Sequence, residues 1–177
     1  MPSPDLEGVR SFPLEVHADP RGAFTEVYRR AWSPGFDEMV QANLSWSRAG
    51  ALRGLHVHRE QADLWVVVSG RILVGLFDLR VDSATRGRKR EILLDADTER
   101  VALYLPPGIA HGFCAETDVT LLYLVDRPYS GADEFGLAWD DPEVGIDWPV
   151  AEPILSERDR STPSLAQLLH GPPFTVR

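Results

Sequence analysis

Seven short runs of apolar or alternating residues, at 11–16, 24–28, 64–68, 72–77, 91–94, 101–105 and 119–125, are each cut off before they reach the length of a helix. Turn-forming residues stand between them, at Ser69-Gly70, Asp82-Ser83, Arg86-Gly87, Pro106-Pro107-Gly108 and Asp140-Asp141-Pro142. This punctuation predicts strands joined by tight turns. Leu64-Trp65-Val66-Val67-Val68 and Leu121-Leu122-Tyr123-Leu124-Val125 are almost unbroken in apolar residues. That fits strands buried between two sheets better than strands with one wet face. The expected class is therefore all-β, a sandwich or barrel. One exception is 163–169, where helix formers follow a Ser161-Thr162-Pro163 start signal and predict a short C-terminal helix.

At 177 residues the chain is long enough for one domain with a sizeable core, and we read 1–177 as a single unit. The ends, 1–8 and 171–177, are expected to be loose. A formal charge of -9 argues against a nucleic-acid surface, which normally needs a basic patch, but a few local arginines could still hold an anionic small molecule. Cys114 is the lone cysteine, so no internal disulfide can form, and it reads as a buried small side chain in a reducing compartment. The N-terminus lacks the pattern of a signal peptide and no apolar stretch nears the roughly 20 residues that span a bilayer. The expectation is a cytoplasmic protein with no membrane partner.

Chemistry concentrates in His56, His58, Asp63 and His111. Side chains alternate along a strand, so His56 and His58 would share one face. A hairpin partner strand would bring in Asp63, and His111 would come from a strand paired elsewhere. Imidazole nitrogen and carboxylate oxygen suit Zn, Fe, Mn, Ni or Cu. Alternatively, one imidazole acts as a base toward carbon. The spacing from Gly50 through His56, His58 and Asp63 to Gly70, and the later Pro106-Pro107-Gly108-Ile109-Ala110-His111, resemble the two signatures of the cupin superfamily, with Asp63 where Glu is usual. That resemblance implies a jelly-roll barrel.

A closer resemblance runs in order along most of the chain. It is carried by 19–26 (Asp-Pro-Arg-Gly-Ala-Phe-Thr-Glu), Gln41-Ala42-Asn43, Leu52-Arg53-Gly54-Leu55-His56, Phe77-Asp78-Leu79-Arg80, Ile109-Ala110-His111-Gly112-Phe113, Trp139-Asp140-Asp141-Pro142, Gly145-Ile146-Asp147-Trp148-Pro149 and Leu155-Ser156-Glu157-Arg158-Asp159. Together these motifs resemble the dTDP-4-dehydrorhamnose 3,5-epimerase family. The resemblance implies an isomerase that needs no cofactor or metal and inverts C3, C5 or both in a dTDP-4-keto-6-deoxyhexose. It implies His56 as base with Asp159 as its carboxylate partner, and Tyr123 as general acid on the opposite face. Arg21, Phe24, Glu26, Gln41, Asn43, Arg53, His111 and Tyr129 fall on positions that hold the nucleotide, the diphosphate or the sugar. It further implies a homodimer in which an N-terminal strand crosses to the partner, so that Arg21 and Phe24 complete the neighbouring site.

Departures from the family pattern touch the pocket. Gln61-Ala62-Asp63 stands where Gln-Gly-Lys is usual, so an acid replaces a cation, and His58 replaces a glutamine. Ala42, Leu44 and Pro128 are also atypical and suggest a changed substrate or inversion at one carbon only. Two other readings follow. One is a metal-dependent cupin, an oxygenase or isomerase with His56, His58, Asp63 and His111 as ligands. The other is a non-catalytic module that binds sugar nucleotides. Locally, Tyr123 could be a packed tyrosine and Asp159 a solvated surface charge.

Overall fold

The computed structural model describes residues 5–32, 38–172 and 174–175. Its strands are β1 (Arg10–Pro13), β2 (Val16–Asp19), β3 (Gly22–Thr25), β4 (Gln41–Ser47), β5 (Leu52–His58), β6 (Asp63–Ser69), β7 (Arg71–Asp78), β8 (Lys89–Asp95), β9 (Val101–Leu105), β10 (Ile109–Ala115), β11 (Val119–Val125) and β12 (Glu134–Gly136). Two one-turn helices follow, α1 (Glu157–Arg160) and α2 (Leu165–Leu168). Two five-stranded antiparallel sheets, ordered β1-β9-β6-β11-β4 and β12-β5-β10-β7-β8, face each other, while β2 and β3 form a separate hairpin. This is the cupin-type β architecture expected from the sequence.

The near-continuous apolar runs are explained by burial on both faces. Trp65 and Val67 of β6 join Leu121 of β11 in the core between the sheets, against Ile72, Val74 and Leu76 of β7. Leu64, Val66 and Leu124 point the other way, where Leu14 and Met39 cover them. The outer face of the second sheet, with Leu55, Val57, Phe77 and Ala110, is covered by Val144, Ile146, Leu165 and Phe174 from the C-terminal segment. Each sheet is thus sealed by chain that lies outside the barrel. Burying a Leu or Ile side chain in this way contributes roughly 1.5–3 kcal/mol.

Several expectations are corrected. The run at 11–16 is split, with β1 ending at Pro13, which has no N–H to continue the ladder. The run at 24–28 is a strand only to Thr25. The helix at 163–169 shrinks to α2 because its cap is Ser164, whose hydroxyl accepts from the Gln167 N–H while the Gln167 side chain reaches back to the Ser164 N–H. The ends are not uniformly loose. Leu6 is 1% and Phe174 2% exposed, and Phe174 bridges to Arg80. Residues 1–4, 173 and 176–177 lie outside the described residues.

β4 departs from the usual alternation. Ala42, Leu44 and Trp46 face solvent, Trp46 being 68% exposed, while Gln41, Asn43 and Ser45 are half-buried. An edge strand with its apolar side outward keeps polar groups for the barrel interior.

Candidate active site

Alternation along β5 sends Leu55 and Val57 to the outer cluster and His56 and His58 into the barrel. There they line a cavity with Arg53, Asp63, Trp65, His111, Phe113, Tyr123, Tyr129 and Glu134. The pairing that assembles it differs from the expected one. His111 of β10 sits directly opposite His56 in the ladder, whereas Asp63 begins β6 in the other sheet and approaches across the barrel. The four-residue connection 59–62 therefore crosses between sheets instead of closing a hairpin. Asp133 holds it in shape, its carboxylate accepting from the N–H groups of Arg59, Glu60 and Gln61 at 2.9, 3.0 and 3.1 Å.

Glycine permits the close approach of β5 and β10. A Cβ on Gly54, whose φ is +113°, would meet the Gly112 Cα and the His111 carbonyl at 2.7 Å. Gly112 also marks the irregularity in the β5–β10 register, between His111 and Phe113.

His56 is held from behind. Its Nε2 lies 2.9 Å from Oδ1 of Asp159, which α1 presents with only 4% of its surface exposed. Ser156 caps that helix by accepting from the Asp159 N–H, and the Gly54 N–H donates to the Asp159 carboxylate. Burial pushes the Asp159 carboxyl up, but hydrogen bonds and the nearby His56 outweigh it and hold the group below its ordinary value. An ionised Asp159 accepts only, so Nε2 carries a hydrogen toward it and Nδ1 is the nitrogen turned away from it. Glu134 of β12 stands 4.0 Å from that Nδ1. Its other oxygen takes a 2.7 Å ion pair from Arg158, and Tyr129 also hydrogen-bonds it. Burial raises the Glu134 carboxyl, and these contacts with the field of His56 bring it below the usual carboxylate value.

Tyr123 projects from β11, in the sheet facing β5, so it and His56 enter the cavity from opposite walls. Burial, followed by the fields of Asp63 and Glu134, pushes its phenol up, which keeps it protonated as a donor. Arg53 is tethered by Ser47 Oγ at 2.9 Å and the Trp46 carbonyl at 3.1 Å. Gln41 and Asn43, bonded to each other, stand on β4, and the Tyr129 N–H donates to Gln41. The hairpin residues lie apart from the cavity in this chain: Arg21 pairs with Asp19, Phe24 is 67% exposed and Glu26 pairs with Arg29.

The proposed four-ligand set does not assemble. His58, Asp63 and His111 cluster, all buried, but His56 stands outside the group, engaged with Asp159. Burial is the main cause that lowers His111 to about 4, leaving it neutral near pH 7. Sequence reasoning missed Glu134, Asp133 and Arg158. Arg158 lies inside the 155–159 motif without being assigned a role there, nothing in the local pattern marks Glu134 or Asp133, and only the pairing of β12 with β5 brings Glu134 beside the histidines.

Residues 3–167 match the model of the family described as dTDP-4-dehydrorhamnose 3,5-epimerase. The chain belongs to that family. A dTDP-4-dehydrorhamnose 3-epimerase of Streptomyces niveus is 43% identical over 92% of this chain and 82% of its own length. The crystal structure of NovW, a 4-keto-6-deoxy sugar epimerase from the novobiocin gene cluster of Streptomyces spheroides, superposes with a TM-score of 0.87 at 38% identity, covering 96% of this chain and 88% of its own. ChmJ, a 3'-monoepimerase from Streptomyces bikiniensis solved with dTDP-quinovose, gives 0.86 at 36% identity, covering 96% and 90%. The site of this family member is thus framed by an epimerase scaffold over nearly its full length.

Proposed function

We propose that the protein epimerises a dTDP-4-keto-6-deoxyhexose by moving a proton on a carbon beside the C4 ketone. It acts at C3 first, the position named for the S. niveus relative and for ChmJ. The observation that carries this reading is the His56–Asp159 contact, which occupies Nε2 and leaves Nδ1 as the ring nitrogen available to the cavity. The carbonyl acidifies the adjacent C–H, and Nδ1 takes that proton as the enolate forms. Asp159 and Glu134 both favour the resulting imidazolium. Tyr123, on the facing wall, is suited to return a proton to the other face, which inverts the centre. Arg53, Tyr129 and His111 are assigned to holding the sugar, and Gln41 and Asn43 to the rim of the site.

The same reading includes a cytoplasmic homodimer. Arg21, Phe24 and Glu26 do not line the His56 cavity of their own chain, and Phe24 on the hairpin and Leu44 and Trp46 on β4 present apolar surface outward. A second copy would cover that surface and receive the hairpin. An arginine at its tip is apt for a diphosphate because its planar fork matches two phosphate oxygens.

Incubation with dTDP-4-keto-6-deoxyglucose in heavy water tests the assignment. Deuterium entering at C3, and absent with His56→Asn, supports it; tight binding without exchange would reassign the protein as a binding module. Position-resolved labelling also reports whether C5 reacts.

A further inference from the structure

Three buried side chains at the cavity have no part in the proton transfer itself. His58, Asp63 and His111 each offer one ligand atom, and these atoms lie within 4.8 Å of one another. Both rings are oriented by backbone carbonyls: His58 Nδ1 stands 3.1 Å from the Asp133 oxygen, and His111 Nδ1 2.8 Å from the Ile109 oxygen. A carbonyl only accepts, so each Nδ1 carries a hydrogen and each Nε2 is left as the ring nitrogen that can meet a metal ion. His111 Nε2 is 3.9 Å from Oδ2 of Asp63.

Asp63 completes the pattern. Its two oxygens accept from neutral donors, Gln61 Nε2 at 2.9 Å and Trp65 Nε1 at 3.0 Å. Among the described residues no lysine or arginine pairs with it, although it is 4% exposed. A buried carboxylate whose direct donors are an amide and an indole has neither lysine nor arginine beside it among the described residues, and a cation bound between it and the two imidazoles would compensate its charge. Donor orientation by outer carbonyls and amides is also what holds metal ligands in place.

We propose that His58, Asp63 and His111 bind one divalent transition-metal ion of the Zn2+, Fe2+ or Co2+ class, with His56 excluded from the coordination. Two nitrogens and one oxygen suit these ions better than Mg2+ or Ca2+, which favour oxygen. An equilateral triangle of side 4.8 Å has its centre about 2.8 Å from each corner. Bonds of roughly 2.0–2.2 Å therefore need each donor to move inward by less than about 1 Å. Three protein ligands leave a coordination position for a further group. All three residues line the cavity of His56 and Tyr123, so on the function proposed above that position faces the keto sugar. His111 then meets the sugar through the ion.

The test uses the full-length chain without any sugar, so it stands or falls separately from the deuterium experiment. Protein stripped with a chelator is titrated with Co2+ and followed by its visible absorption and by elemental analysis after desalting. One ion per chain is expected, with an absorption change on adding azide at the open position. Asp63→Asn and His58→Gln should weaken binding by more than the roughly 10–100-fold typical of outer-shell losses. Gln61→Ala, which leaves the ligands intact, should fall within that range, and His56→Asn should bind as the wild type does. Circular dichroism verifies that each variant is folded. Absence of stoichiometric Co2+ in the wild type, unchanged binding by Asp63→Asn and His58→Gln, or loss of binding with His56→Asn would each overturn the proposal.

Discussion

Asp159 meets His56 at Nε2, 2.9 Å away, and this contact decides that the opposite nitrogen, Nδ1, is the one presented to the cavity. Asp159 itself does not line the cavity, so it acts through the ring. We expect Asp159→Asn, whose amide can stabilise another tautomer, to lower the deuterium exchange rate by roughly 10²–10⁴-fold. KM for the sugar nucleotide should stay within a few-fold. Nitrogen NMR of the His56 ring should show the changed tautomer, a readout that general destabilisation would not give. An exchange rate within a few-fold of wild type would remove Asp159 from the mechanism.

His56 and Tyr123 stand on facing sheets, which on the function proposed above would separate abstraction from reprotonation. Removing only the phenol should leave the base intact. In Tyr123→Phe, deuterium should still enter with retention of configuration, because His56 can return a proton to the face it came from. The inverted product should fall by roughly 10²–10⁴-fold. Equal loss of exchange and inversion would assign Tyr123 to binding or packing.

Much of this arrangement is written in local sequence. The period of two places His56 and His58 on one face, and the unbroken apolar runs of β6 and β11 signal burial on both faces. Asp159 is different: Ser156-Glu157-Arg158-Asp159-Arg160 has the composition of a solvated turn, and the motif resemblance, not periodicity, singled it out. Glu134 and Asp133 left no local signal because their roles depend on a three-residue strand pairing with β5, a long-range contact. The misplaced hairpin has the same origin. Nothing in 59–62 tells a turn within a sheet from a crossing between sheets, and the decision rests with Asp133, more than 70 residues away.

Gly54 and Gly112 set the spacing of the two histidine-bearing strands. Gly54→Ala would place a methyl 2.7 Å from the Gly112 Cα, in backbone contact, at a φ of +113° that L side chains rarely adopt. We expect a loss of at least about 1–3 kcal/mol, the range of overpacked cores, read from urea unfolding. For a chain of this size that corresponds to roughly 2–4 °C in Tm per kcal/mol. Because the strain falls between His56 and His111, exchange activity should drop further than the folded fraction explains. Wild-type stability in Gly54→Ala would show that the strands are free to separate.

The barrel's acid limit should be set by Asp78 and Arg80, which are 0% and 2% exposed and joined at 2.7 Å. Burial alone would raise the Asp78 carboxyl, but bonds from Arg80, Ser83 and Thr85 outweigh it and leave the group below its ordinary value. Glu134 and Asp159 are lowered in the same way. A carboxyl with a depressed folded value binds its proton more readily when unfolded. Its contribution is therefore complete above the unfolded pKa of about 4 and is lost as pH falls through the lower folded value. These carboxyls should leave the urea midpoint unaffected from pH 7 to about 5 and lower it steeply below about 4, while His111, whose folded value of about 4 lies below its ordinary 6.5, should already erode it as pH falls through the window between them. Asp78→Asn should flatten part of that acid slope. At pH 7 it should also cost about 3–5 kcal/mol, because the Arg80 guanidinium, which also donates to the Glu7 carbonyl, would keep its charge in a buried site without a carboxylate. An acid slope unchanged by Asp78→Asn would shift the acid limit to the carboxylates around His56, where Glu134→Gln can be examined by the same titration.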